Sequence, residues 1–186
     1  GTMSLTGINE DNTNSAGNTI AALLATAGDR ITDVDAGAIE GIAVIAVDNT
    51  NGAWQFSTNG GTNWSNFGTP TTAAARLLGA DSNNNKVRFV PGLHFNGSVG
   101  ITFRAWDQTT DTNGSTANIS GGGATGGITA YSTATETAAI AVAAVNDAPV
   151  LDNSGTMSLT GINEDNTNSA GDIIYDPDDR ITDVDA

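Results

Sequence analysis

The chain contains no cysteine. That excludes disulfide staples, thiolate metal centres and cysteine nucleophiles. Basic residues are scarce: six Lys and Arg stand against 21 Asp and Glu, a formal net charge of −15. This balance argues against a nucleic-acid partner, which needs a basic surface, and against docking to an anionic membrane. No apolar run is long enough to insert into a membrane, and no signal-peptide pattern opens the sequence. The one histidine, His94, has no second histidine or cysteine to complete a zinc centre. No G-x-S-x-G elbow is found for a serine nucleophile.

What the sequence does have is repetition. Gly1–Gly17 (GTMSLTGINEDNTNSAG) returns letter for letter at Gly155–Gly171, and DRITDVDA at Asp29–Ala36 returns at Asp179–Ala186. The repeat length is about 150 residues, within the size of one domain. Residues 1–154 read as one complete repeat with a linker at 146–154, and 155–186 as the N-terminal part of the next. Tandem arrays serve structure and binding, so an enzyme is not expected. Between identical flanks, Asn18–Gly28 is replaced by the shorter Asp172–Asp178, which marks a surface connection tolerant of change.

Short β-type runs alternate with Gly, Asn and Asp turns. The expected strands are Met3–Ile8, Gly41–Val47, Ala53–Ser57, Asn63–Phe67, Lys86–Val90, Val99–Trp106 and Thr137–Val145. In one of them Ile101, Phe103 and Ala105 face one way, and Thr102, Arg104 and Trp106 the other. Ile20–Thr26 and Ala73–Leu78 are the two helical candidates. Asn113–Gly127, rich in Gly, Ser and Asn, reads as a long loop. The pattern as a whole predicts an all-β sandwich.

The acidic residues are gathered into short words. NED occurs at Asn9–Asp11 and Asn163–Asp165, and DVD at Asp33–Asp35 and Asp183–Asp185. Asp107 ends the FRAWD strand, and Asn146–Asp147 sits in the linker. Calcium takes six to eight oxygen ligands from carboxylates, amides and backbone carbonyls, and no single word supplies that many. Taken together the words could. The acids cluster at the ends of the repeat and not around an expected cleft, which disfavours a glycosidase pair.

AWD, VNDAPV, NED and DVDA together resemble the calcium words of bacterial cadherin-like tandem repeats in large secreted adhesins and RTX-type surface proteins. The resemblance implies a Greek-key β-sandwich of cadherin/Ig type, extracellular at the cell surface and engaged in adhesion. It implies Ca2+ at the junctions between neighbouring repeats of the same chain, with glycans, other cell-surface ligands or homophilic contacts as further partners. Carried over, one junction uses Asp107, Asn146 and Asp147 with Glu164, Asp165, Asp183 and Asp185. Glu10, Asp11, Asp33 and Asp35 then face a preceding repeat.

Ser57–Trp64 (STNGGTNW) resembles the Asp-box hairpin turn of sialidases and related β-proteins, with Asn59 in place of the aspartate. The turn chemistry favours a structural hairpin. Two rivals to the calcium reading stand beside it. One is a carbohydrate-binding module that uses Trp54, Trp64 or Trp106, and the other is a metal-free Ig-like spacer. His94 is expected to pack within its loop.

Overall fold

The computed structural model describes residues 3–28, 30–35, 37–155, 157–173 and 180–184. The chain divides into two compact units, Gly1–Ala144 and Val145–Ala186. The first unit opens with β1 (Met3–Ser4), β2 (Ile8–Asn9), β3 (Asn18–Thr19), helix α1 (Ile20–Ala25) and β4 (Gly41–Val47). It continues through β5 (Gly52–Ser57), β6 (Ser65–Asn66), β7 (Ala75–Gly79) and β8 (Lys86–Pro91). It closes with β9 (Gly97–Trp106), β10 (Thr116–Ala117) and β11 (Glu136–Ala143). The structure is nearly all β, with this one short helix among the described residues.

A mixed sheet carries the order β1-β11-β9-β4-β7-β10, with β2 also paired to β11. A four-stranded antiparallel sheet runs β3-β8-β5-β6. One core lies between them. Ile42, Val44, Ile101 and Phe103 of the larger sheet share it with Trp54, Val87 and Phe89 of the smaller, and Ile20, Leu23 and Leu24 of α1 fill one side. The Trp54 and Phe89 rings lie 5.4 Å apart in a tilted pair, a favoured aromatic geometry.

Local sequence explains most of these elements. In β9, Val99, Ile101 and Phe103 are buried while Gly100, Thr102 and Arg104 are half-buried, the period of two that a pleated strand imposes. β11 alternates likewise, burying Ala138, Ile140 and Val142. Helix α1 starts where Thr19 turns extended, and its Oγ1 accepts the Ala22 amide at 3.1 Å, an N-cap that satisfies one otherwise orphaned donor.

Two expectations are corrected. Ala73–Leu78 is not helical; it supplies β7, paired antiparallel to both β4 and β10. Ala75, Leu77, Leu78 and Gly79 are buried and Arg76 is half-buried, and a short, mostly apolar run of that kind cannot be told from a helix by its period. Asn113–Gly127 is not a bare loop either. It contributes β10 and helps cover the outer face of the mixed sheet. There Ala43, Leu77, Trp106, Ala117, Ile119 and Tyr131 build a second, smaller core. Trp106 does point away from Phe103, but into this core.

In the second unit, β12 (Val150–Leu151) pairs antiparallel with β13 (Ile181–Thr182). The Asp152 amide donates to Arg180 O at 2.7 Å, and the Arg180 guanidinium donates back to Asp152 O from Nη2 at 2.8 Å. The linker residues therefore fall in the second unit and do not close the first.

The identical copies differ sharply in burial. Met3 and Leu5 are 1% and 6% exposed, whereas Met157 and Leu159 are 65% and 83% exposed. Local bonding is nevertheless the same. Asn12 N to Asn9 O and Thr13 N to Asp11 O are matched by Asn166 N to Asn163 O and Thr167 N to Asp165 O. A side-chain clasp between Thr6 and Asn18 is matched by one between Thr160 and Asp172. The local words set the turn, and the sheet supplies the burial.

One residue type at two equivalent positions should therefore respond very differently. Leu5→Ala is expected to cost about 2–5 kcal/mol in urea unfolding of the first unit, the range for a buried leucine. Leu159→Ala should stay within about 0.5 kcal/mol, as surface changes do. Equal losses at the two sites would contradict the burial difference.

Candidate functional site

Two ends of the first unit carry acids, and strand direction decides which acids go where. β1 and β2 run parallel to β11, with Ile8 opposite Val142 and Asn9 opposite Ala143. The Glu10 amide donates to Ala143 O at 3.0 Å. Glu10 thus sits at the downstream end, where β11 finishes, and its side chain is only 3% exposed. Asp11 follows in the exposed turn. From sequence, both were expected to face a preceding repeat.

β9 runs antiparallel to β11, with Phe103 opposite Glu136. Asp107, just past β9, therefore lies at the upstream end. Its amide donates to Ala130 O at 3.1 Å, next to the Trp106–Tyr131 bridge. Strand β11 alone separates the ends by about 23 Å, at roughly 3.4 Å per residue. Asp107 is thus far from the downstream end of its own repeat, where it had been expected. The acids of NED and AWD have in effect exchanged ends.

At the upstream end a cleft of about 300 Å³ gathers Asp33, Asp35, Glu40 and Asp107, with Trp106 and Tyr131 also in its wall. The DVD word is a turn and not a strand: Asp33 Oδ1 accepts the Asp35 amide at 2.9 Å, and Asp35 O accepts the Ala38 amide at 3.2 Å. Asp107 Oδ1 accepts both the amide and the hydroxyl of Thr109, at 2.8 and 2.6 Å. These short-range bonds hold each carboxylate on its own loop. The donor set is all hard oxygen, which suits calcium in kind. Among the described residues, however, no three such side chains converge closely enough to hold an ion.

Sequence reasoning did not single out Glu40 or Tyr131. Glu40 directly precedes β4 on the stretch that follows the DVD word, a signal available but unused. Tyr131 reaches the cleft through a pairing with Trp106 that no local pattern announces.

In the second unit, Asn146, Glu164, Asp165 and Asp183 are exposed and Asp147 is half-buried. Val150 lies opposite Thr182, so Asp183 directly follows β13 and the linker pair Asn146–Asp147 precedes β12. Asp185 lies outside the described residues.

The other candidates resolve into structure. Ser57 Oγ accepts the Gly61 amide at 2.9 Å, and Asn59 Oδ1 accepts the Asn63 amide at 2.9 Å. Gly60 and Gly61 take φ of 75° and 94°, a left-handed conformation that glycine adopts without strain. The segment is the β5–β6 hairpin turn, with Asn59 in the part of the aspartate. Trp54 and Trp106 are fully buried and cannot form a sugar platform. Trp64 is half-buried, with the Arg88 guanidinium 4.2 Å from its ring. His94 is exposed at φ 55° in the β8–β9 turn, so it shapes the turn and does not pack in a loop interior. No helix among the described residues is long and apolar enough to cross a membrane.

The Tyr131 hydroxyl donates to Asp111 Oδ2 at 2.5 Å. Burial, and then the bond to and charge of Asp111, push its pKa well above the ordinary tyrosine range. A raised folded pKa gives stability that is complete below the unfolded value of about 10 and is lost as pH rises beyond it. Stability should accordingly fall above about pH 10. Tyr131→Phe should flatten that fall and remove a late-ionising component from the ultraviolet absorbance titration. An unchanged titration would contradict the buried phenol. Comparison with family models, curated proteins and solved structures finds no match for the chain.

Proposed function

We propose that the chain is a non-enzymatic, calcium-binding repeat of a large extracellular bacterial surface protein, in which Ca2+ stiffens an adhesive array. The observation that carries this reading is the upstream cleft, where Asp33, Asp35, Glu40 and Asp107 line one space without completing a site. An incomplete oxygen set at a repeat's end is what a shared junction requires. Asp33, Asp35 and Asp107 form the upstream half. Glu10 and Asp11, at the downstream end of the first unit, form the half offered to the next repeat, and Asn146 and Asp147 of the linker are further oxygen donors within the second unit. Glu164 and Asp165 play the Glu10 and Asp11 part in their own repeat, and Asp183 and Asp185 the part of Asp33 and Asp35.

The topology supports a Greek-key sandwich of cadherin/Ig type. The first strand lies parallel on the last, and the chain passes between sheets at β2–β3, β3–β4, β4–β5, β6–β7, β7–β8 and β8–β9. Bound calcium supplies charge neutralisation. Without it the acids at a junction repel one another, and with it the hinge is fixed.

An ion bound only by the folded state at a hundred times its dissociation constant adds about 2.7 kcal/mol. For a chain of this size that is a rise in Tm of about 5–10 °C. Melting curves with calcium and with chelator read it, together with calorimetric titration. Asp11→Asn with Asp183→Asn should reduce the shift by at least half. No heat of binding and superimposable melts would sink the proposal in favour of a metal-free spacer.

A further inference from the structure

Arg88 carries a charge that the fold does not neutralise. It lies in β8 opposite Gln55 of β5, between Val87 and Phe89 of the core, so the pleat turns it to the other face of the smaller sheet. It is nevertheless only 9% exposed, with its guanidinium stacked on the Trp64 ring. Nε donates to Gln55 Oε1 at 2.8 Å, and Nη1 donates to Asn14 Oδ1 at 2.9 Å and to Ser15 O at 3.1 Å. All three acceptors are neutral. Among the described residues no carboxylate pairs with Arg88 and no acceptor meets Nη2.

Buried charges are ordinarily paired, and this chain has 21 Asp and Glu from which a partner could have come. Burial is the one influence on the Arg88 pKa, which it lowers. A guanidinium still keeps its proton at any ordinary pH, so the charge persists without a counter-ion.

Arg88 also lines a cleft of about 230 Å³. Thr6, Asn12, Ser15 and Asn18 give this cleft its polar wall, and Ile8 and Ile140 its apolar one. None of its lining residues is acidic, the reverse of the upstream cleft. Thr6 Oγ1 accepts from Asn18 Nδ2 at 2.8 Å, which leaves the hydroxyl hydrogen to donate.

We infer that this cleft binds the carboxylate of a small organic acid, with Arg88 and the Thr6 hydroxyl as its donors. A carboxylate fits better than a phosphate or sulfate dianion. Only one guanidinium nitrogen remains to donate, and a net charge of −15 opposes a second negative charge. Ile8 and Ile140 suit the short carbon chain that such an acid carries.

Amide NMR of the full chain tests this, in chelator so that the outcome does not depend on calcium. Acetate should shift the Asn12, Ser15 and Gly17 amides in a saturable way, with a Kd of about 1–10 mM, in keeping with so small a ligand. Acetamide, its uncharged isostere, should not. Arg88→Gln should abolish the acetate response. Thr6→Val, which leaves the guanidinium in place, should weaken binding about 3-fold or more, the loss of one hydrogen bond. Should Arg88→Gln fail to fold, the contrast between acetate and acetamide in the native chain and the Thr6→Val result decide. The proposal is overturned by the absence of a saturable response, by equal responses to the two probes, by a response that survives Arg88→Gln, or by unchanged binding in Thr6→Val. Arg88 is then a brace for residues 14–15 and nothing more.

Discussion

The parallel pairing of the N-terminal strand with β11 governs most of what this molecule presents. It closes the edge of the mixed sheet and buries Met3 and Leu5. It also fixes the direction of the opening segment, and so decides at which end the NED acids emerge. Were the same residues antiparallel on β11, Glu10 would lie beside the cleft that holds Asp33 and Asp107. Because they are parallel, the acids are dealt to two ends about 23 Å apart, by the rise of an extended strand. Each end then carries only some of the acids, and a register of a few backbone hydrogen bonds decides which.

The smaller core on the outer face of the mixed sheet matters for the same site. Trp106 and Tyr131 hold the end of β9 against the returning chain, and Asp107 is positioned by that bridge. The long Gly- and Asn-rich stretch is therefore part of what places a carboxylate. Exposed polar loops that carry function are ordinarily braced by rigid elements, and here the brace is made partly by the loop itself.

The sequence made the strands readable where one face was buried and one was not, as in β9 and β11, and it made α1 readable through Thr19. It misled at Ala73–Leu78, where a short, mostly apolar run showed no alternation. The acidic words were legible as words, but their grouping was not. Which end Glu10 or Asp107 occupies depends on pairing with residues far along the chain, and local pattern carries no information about that. The contrast between Leu5 and Leu159 makes the point most plainly. One sequence, with the same turn and clasp, is core in one place and surface in another, because burial belongs to the partner strand and not to the word.

That dependence on a distant partner has a consequence for biosynthesis. Met3 cannot pair until Ala138 has been made, about 135 residues later. At roughly 5–20 residues per second this is a wait of about 7–27 s. During that interval the opening strand leaves the ribosome with Met3 and Leu5 uncovered. Where an opening segment recurs, as Gly1–Gly17 does at Gly155–Gly171, pairing of the wrong copy with a newly finished edge is the characteristic hazard of such a wait. The order in which the chain is written, and not only the contacts it finally makes, bears on which strand reaches the edge first.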